Sequence, residues 1–271
     1  MGDTVSVAWF DTHAHLDDEQ FDRNRDAIVS DAVSAGVNSI LAVGTTAKSS
    51  ETVVSLASHY LPIFAAVGIQ PNYCAEALTG DWDRIVELAG SPRVVAIGET
   101  GLDRYWDHAP FHLQQDFFDR HLRLSQELDL PFIVHMRDCQ SDILEMLYEA
   151  AGRGPLCGVM HSFTGDREMA EKCLDMGLYI SFAGMVTFKK SDSLRTIATV
   201  IPDDRILIET DSPYLAPEPV RGKRPNQPAN LVHTGQCLAQ QRGIELETFA
   251  NQTTRNAQRL FQKVVDNPSK R

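Results

Sequence analysis

Short apolar runs alternate with amphipathic stretches along almost the whole chain. Runs rich in Val, Ile, Phe and Ala occupy residues 5–11, 39–43, 63–67, 94–98, 132–135, 158–161, 179–182 and 205–209. Each is too short for a helix, and together they predict eight β-strands. Between them, apolar positions three and four apart predict helices over 22–35, 50–60, 82–89, 113–128, 141–150, 167–176 and 193–200. Gly36, Gly90, Gly152 and Gly177 stand where helix C-termini are expected. Phe117, His121, Leu124 and Leu128 share one helical face and are expected to turn toward the sheet. Residues 231–241 and 246–263 supply two last helices, and 267–271 is expected to fray. Strands alternating with helices imply a parallel sheet, and eight is the closure number of a (β/α)8, or TIM, barrel. No linker, repeat or low-complexity segment interrupts the pattern. The 271 residues suit the roughly 250 of a single barrel, so one α/β domain over 1–271 is expected.

The predicted strand ends carry chemistry. His13 and His15 follow the first run, Glu99 the fourth, His135 the fifth, His161 the sixth and Asp211 the eighth. Strand alternation puts His13 and His15 on one face. Taken singly, each has an ordinary reading: a lone histidine on an apolar segment is usually a hydrogen-bonded core residue, and an acid after a strand is usually a cap or turn former. Their co-occurrence at one topological place in five strands speaks against that. A buried charge is costly unless something pairs it, and a metal ion does so. Four imidazoles and two carboxylates at the C-terminal face describe a binuclear metal site, on the side where such barrels keep their chemistry. Imidazoles suit Zn2+, whereas carboxylates and water suit Mg2+ or Mn2+.

Composition narrows the partners. Lys and Arg number 25 against 37 Asp and Glu, for a net charge of −12. That argues against a broad electrostatic grip on nucleic acid, though not against a strand held by one end in a cleft. No run approaches the roughly 20 apolar residues of a membrane span, and the N-terminus lacks the basic and apolar regions of a secretory signal. The cysteines (74, 139, 157, 173 and 237) are odd in number with no Cys-x-x-Cys, as suits reduced thiols in the cytoplasm. Cys157 and Cys173 flank core-like segments and read as small buried hydrophobes.

Asp-Thr-His-Ala-His-Leu-Asp (11–17), Ala-Val-Gly-Ile-Gln-Pro (66–71), Gly-Glu-Thr-Gly-Leu-Asp (98–103) and Pro-Phe-Ile-Val-His-Met-Arg-Asp (131–138) resemble motifs of the TatD family of metal-dependent deoxyribonucleases. So do Met-His-Ser-Phe-Thr-Gly (160–165), Glu-Thr-Asp-Ser-Pro-Tyr-Leu-Ala-Pro (209–217) and Arg-Gly-Lys-Arg (221–224), in family order across nearly the whole chain. The resemblance implies an amidohydrolase-like barrel that hydrolyses DNA phosphodiester bonds, often as a 3′-to-5′ exonuclease on single strands with Mg2+. Ligand type then suggests roles. His13, His15 and Asp211 are expected to hold one divalent ion, His135 and His161 the other, and Glu99, with two oxygens on a short stem, to bridge them. Related barrels often bridge with a carbamylated lysine at this place, but no lysine follows Glu99. Two ions would activate a water and clamp the phosphate, and Asp211 is placed to take the water's proton. Glu99 and Asp211 are thus the expected catalytic pair. Mg2+ is favoured, with Mn2+ or Zn2+ as alternatives.

Neighbouring residues are read as substrate contacts with structural alternatives. Arg137, two beyond His135, either forks onto a phosphate or pairs with Asp138 or Asp103. Glu209, two before Asp211, is expected to partner a buried histidine or base rather than to catalyse. Asp103 is either a turn former or a helper of the metal ligands. Arg221, Lys223 and Arg224 form a compact basic cluster in an acidic chain and either touch phosphate or are merely solvated. Tyr105 and Trp106 either stack on bases or pack as core or lid, and His108 and Tyr214 share their rim. The loop departs from the family pattern by an extra Pro225 and by Gln227 where an acid is usual, which puts its path and any salt bridge to Arg221 or Arg224 in question. Single-stranded DNA is the expected partner, with no membrane and no obligate protein partner. The alternatives are a metallohydrolase of another ester or amide bond, on mischarged or damaged nucleic acid or a small molecule, and a non-catalytic, metal-stabilised interaction protein.

Overall fold

The computed structural model describes residues 7–262. Eight strands form one parallel sheet in sequence order: β1 Trp9–Ala14, β2 Val37–Val43, β3 Ile63–Val67, β4 Val94–Asp103, β5 Phe132–Arg137, β6 Gly158–Met160, β7 Tyr179–Phe182 and β8 Ile206–Ile208. The ring is drawn together between β8 and β1 by a bridge from Ala14 to Ser212, by Asp211 N donating to His13 O (2.9 Å) and by His15 N donating to Ser212 O (2.7 Å). Around it run α1 Arg25–Ser34, α2 Ala47–His59, α3 Asp81–Ala89, α4 Phe111–Leu128, α5 Gln140–Ala151, α6 Arg167–Asp175, α7 Asp192–Val200, α8 Leu231–Arg242 and α9 Leu246–Leu260. The result is the expected (β/α)8 barrel. The start of the first expected strand, the last residue of the final helix and segment 267–271 lie outside the described residues. No helix among the described residues is long and apolar enough to cross a membrane.

Two apolar layers follow from strand alternation. Phe10, Leu41, Phe64, Val95, Ile133, Val159, Tyr179 and Leu207 fill the barrel, with Leu260 and Phe261 packed beneath; the Phe10 and Phe261 rings lie 5.9 Å apart. The intervening residues, such as Ile40, Val134, Ile180 and Ile208, pack outward against the helices. The strand bounds differ from expectation mainly at β4, which continues five residues beyond 98 to Asp103, and at β5, which runs on to Arg137. Two expectations are corrected. Leu128 is 39% exposed, because it ends α4 where Asp129, in the left-handed region, turns the chain away. Cys157 is exposed rather than buried, since it precedes β6 outside the packed layers.

His121 does face inward, and its surroundings fix its charge. Its Nδ1–H donates to Phe117 O (2.6 Å) and its Nε2 accepts from Ile69 N (3.0 Å), so a second proton has no acceptor. Burial pushes its pKa from 6.5 down to about 4, against the pull of the Phe117 carbonyl. The unfolded chain therefore binds the proton first. Stability from the neutral ring is complete above pH 6.5 and is lost as pH falls toward 4. Between pH 7 and 5 this amounts to about 2 kcal/mol. Urea unfolding in chelator should show His121→Gln losing that much less stability over this interval than the parent. Equal acid sensitivity would mean that the folded ring accepts a proton.

Candidate metal centre

Simple alternation would not bring His13 into the barrel mouth. Phe10 and Thr12 already point inward, the latter reaching Ser181 Oγ (3.3 Å) on β7. The β1–β2 register shifts between Asp11 and Ala14, and this irregularity turns His13 and then His15 into the mouth. The β4–β5 register shifts likewise between Ile97 and Thr100, placing Glu99 inward. Gly101 makes that path possible: its φ is +132°, and a Cβ there would collide with the His135 carbonyl oxygen. Asp211 sits at φ +52°, a conformation an aspartate tolerates better than most residues, held by its N–H to His13 O and by Tyr214 N donating to its carbonyl (2.9 Å).

All six expected ligands meet at this mouth. Glu99, 3% exposed, divides its oxygens between two groups. Oε2 faces His13 Nε2 (3.5 Å) and His15 Nε2 (3.6 Å), whose other neighbour is Asp211 Oδ1 at 3.8 and 3.5 Å. Oε1 faces His135 Nδ1 (2.8 Å) and His161 Nε2 (3.2 Å). The tightest donor sets are His13–His15–Asp211 and His13–Glu99–His161, each with its ligand atoms within 4.8 Å of one another. His13 belongs to both because its ring stacks on His161, centroids 4.0 Å apart. His135 joins through Glu99.

The outer nitrogens of three histidines are already engaged. His15 Nδ1–H donates to Val43 O (3.1 Å), His161 Nδ1–H to Glu209 Oε1 (3.2 Å) and His135 Nε2–H to Asp103 Oδ2 (3.1 Å). Each bond fixes the tautomer and turns the remaining lone pair toward Glu99. His13 Nδ1 is buried without a partner, so its tautomer is set from the Nε2 side alone. The Nε2 atoms of His13 and His15 lie 3.3 Å apart, which places two lone pairs together unless a cation or proton stands between them. This donor set fits metal ions.

Electrostatics say the same. Burial opposes charge on Glu99, yet attraction to His161 and hydrogen bonds from His13, His135 and His161 hold its pKa well below the usual range. Burial likewise works against a charged His161, but the Glu99 charge and the bonds to Glu209 and Glu99 hold it well above the usual value. His15 is brought up to about 9 against burial by Asp211 and Glu99. His13 is pushed down by burial and by His161. Protons on these rings compensate the carboxylates just as metal charge would, so metal binding must displace them and weakens in acid.

The surrounding residues resolve several alternatives. Asp103 is both a turn former and a helper: Oδ1 accepts from Tyr105 N and Trp106 N, while Oδ2 meets His135 and Asn72 Nδ2 (3.0 Å). Burial opposes its charge, but the bonds from His135, Trp106 N–H and Asn72 bring its pKa to about 2. Glu209 holds His161 and the Ser162 N–H (2.6 Å). Arg137 lines the cavity, with its guanidinium carbon over Tyr105, 3.8 Å from the ring centroid. Tyr105 and Trp106 are 54% and 45% exposed, so neither is core. Trp106 stacks on His108, and both line the cavity, as does Tyr214. Arg221, Lys223 and Arg224 are exposed and outside the cavity lining, with Arg221 over the Phe188 ring at 3.9 Å and 4.0 Å from Glu218. Asn226 anchors that loop: its buried amide donates to Thr210 O (3.1 Å) and Tyr214 O (2.6 Å). Asp11 and Asn72 escaped the sequence reading. Asp11 ties β1 to the end of β8 by accepting from Thr210 N (2.9 Å), and a carboxylate inside an apolar strand was its only signal. Asn72 gave none.

The family model described as TatD related DNase matches residues 10–262. The uncharacterized metal-dependent hydrolase YabD of Bacillus subtilis is 39% identical over 252 residues, covering 93% of this chain and 98% of its own length. The 3′-5′ ssDNA/RNA exonuclease TatD of Citrobacter rodentium is 37% identical over 256 residues, covering 93% and 97%. Among solved structures, YJJV, a TatD homolog from Escherichia coli K12, is similar with a TM-score of 0.88 at 28% identity, covering 94% of this chain and 98% of its own.

Proposed function

This chain belongs to the TatD family of metal-dependent hydrolases, and from that premise we propose that it removes nucleotides from the 3′ end of single-stranded DNA with two divalent ions at this centre. The observation that carries the reading is Glu99, whose two oxygens serve two histidine groups with their lone pairs turned inward. A relative named as a 3′-5′ ssDNA/RNA exonuclease supports the substrate class. His13, His15 and Asp211 would hold one ion, His135 and His161 the other, and Glu99 both; Mg2+ is favoured over Mn2+ and Zn2+. The ions would supply Lewis-acid charge at the phosphoryl oxygens and acidify water. The side chains do the rest. Asp211 takes the proton of the attacking water. Attack on phosphorus breaks the bond to the 3′-oxygen of the penultimate nucleotide, releasing a 5′-mononucleotide and leaving a new 3′-hydroxyl. Asp103 and Glu209 keep His135 and His161 in register. Arg137 offers its N–H fork to a phosphate, since Asp103 is engaged elsewhere. The five free thiols fit a cytoplasmic enzyme.

Arg221, Lys223 and Arg224 hold neighbouring phosphates, remote from the chemistry. Their triple replacement by Ala should raise KM with kcat changed less, and reduce the slope of log K against log salt by roughly 0.7 per lost contact. An unchanged slope would take this loop out of the DNA path and leave Arg137 as the main phosphate contact. The choice of bond is tested by supplying metal-stripped protein with Mg2+, Mn2+ or Zn2+ and offering an unstructured oligodeoxynucleotide beside small ester and lactone substrates. Metal-dependent cleavage of the DNA is expected. Turnover of the small esters with the DNA intact would instead favour the alternative hydrolase.

A further inference from the structure

Aromatic and cationic side chains form a platform on one side of the cavity over the metal centre, after β4 and at the end of β5. The rings of Trp106 and His108 lie nearly parallel (16°) with centroids 5.4 Å apart, and both line the cavity. Tyr105 stands edge-on to Trp106 at 4.8 Å, and the Arg137 guanidinium carbon lies 3.8 Å from the Tyr105 centroid and 5.6 Å from that of Trp106. One side chain fixes this platform to the centre. Asp103 accepts from Tyr105 N (2.8 Å) and Trp106 N (3.0 Å) through Oδ1 and from His135 through Oδ2. Rings that served only to pack the rim would be covered by it. Trp106 is 45% exposed, the only exposed tryptophan of the three, since Trp9 is buried and Trp82 packs against the core.

Charge separates this side of the mouth from the side opposite. Arg137 is the only Lys or Arg lining the cavity among the described residues, and it is offset by Asp138 on the same lining and by Asp107, between the two rings in sequence. That side suits an uncharged ring better than a row of phosphates. In a ring ordered β1 to β8, β4 stands opposite β8. There, outside the cavity lining, exposed Lys189 and Lys190 of the segment after β7 join Arg221, Lys223 and Arg224 of the loop after β8. Arg221 over Phe188 (3.9 Å) and Glu218 N donating to Thr187 Oγ1 (2.8 Å) tie the two segments together. Among the described residues only Glu218, 4.0 Å from Arg221, forms an ion pair with these cations. A strand across the centre therefore lays its row of phosphates toward β7 and β8. Its last nucleotide, which brings a base and no further phosphate, falls toward the platform.

We infer that Trp106 and His108 receive the base of the 3′-terminal nucleotide, with Trp106 as the stacking surface and Arg137 holding the adjoining phosphate. The inference rests on the nuclease reading above. Such a platform selects for an aromatic base without reading which base, since every base has a π-face. It also favours an unpaired end, because a base within a duplex must leave its stack before it reaches the rings.

The test uses single strands that differ only in lacking one base, either at the 3′-terminal nucleotide or several nucleotides upstream, with Mg2+ present. Removal of the first nucleotide should be about tenfold slower in kcat/KM when the terminal base is missing, and little changed when the upstream base is missing. Trp106→Ala should slow the complete strand by a similar factor and bring it level with the terminally abasic one, whereas Trp106→Phe should keep most of the difference. His108→Ala should reduce the difference by less. A second readout needs no turnover. On chelator-treated protein the complete strand should quench tryptophan emission more than the terminally abasic strand, and Trp106→Phe should abolish that contrast. Equal rates for complete and terminally abasic strands, Trp106→Ala slowing both alike, a loss that falls only on the upstream base, or a quenching contrast that survives Trp106→Phe would each overturn the inference while leaving the nuclease reading in place. Cleavage of none of the strands would overturn the nuclease reading, and this inference with it.

Discussion

Glu99→Gln is expected to lower turnover by on the order of a thousandfold or more while the barrel stays folded. Glutamine matches the side chain in size but has one good acceptor oxygen and no charge, so it cannot serve both histidine groups that Glu99 faces. The fold should survive because the surrounding charges adjust. Glu99 is what chiefly holds His161 protonated against its burial; without that carboxylate, buried rings shed protons rather than remain as unpaired charges. Metal content after dialysis should fall below that of the parent, with circular dichroism unchanged. A variant that kept both its metal and its activity would remove Glu99 from the centre of the account.

Asp211→Asn should lower kcat by roughly a hundredfold to ten-thousandfold with much less change in KM. Its carboxylate lies by His13 and His15 at the open edge of the site, where in the proposed reaction it would take the proton of the attacking water. Both proposed roles, proton acceptor and charge beside the ions, would act on the transition state more than on bound substrate. The amide keeps the backbone bonds that hold residue 211 in its left-handed conformation. Steady-state kinetics at saturating metal separate the alternatives. Near-normal kcat with raised KM would make Asp211 a substrate-binding residue.

The eight strands were legible because each is short, apolar and followed by a helical pattern. Their ends were less so. The fourth apolar run stops at Gly98, whereas Gly98 and Gly101 let β4 continue against β5 as far as Asp103. Alternation placed His13 and His15 on one face, but it is blind to the register shift that turns His13 inward after Phe10 and Thr12. Long-range packing decides such irregularities, and the local pattern does not record it. Leu128 shows the same limit: helical spacing sets its face, but only the end of α4 sets its exposure.

That His13, His15, Glu99, His135, His161 and Asp211 come together was legible from residue type and from position at strand ends. Glu209 was legible as a partner because it stands two residues before Asp211, and it reaches His161. Asp103 resisted a single assignment because its two oxygens do two jobs. Nothing local marks Asn72, whose contact with Asp103 spans 31 positions. Nor does anything mark the left-handed conformations of Asp138, Ser162 and Asp211, since none is glycine. The path of the basic loop depends on Asn226 bonding back to Thr210 and Tyr214, a contact set by the tertiary fold.

A time course on single-stranded DNA labelled at either end, with Mg2+ and with chelator, tests the central claim most directly. A 5′-labelled strand should shorten stepwise into a ladder, and a 3′-labelled strand should release its label at once as a mononucleotide, both only with metal present. Cleavage that persists in chelator, or scattered internal cuts from the earliest times, would contradict the account of Glu99 and its histidines as a two-ion centre that works from the 3′ end.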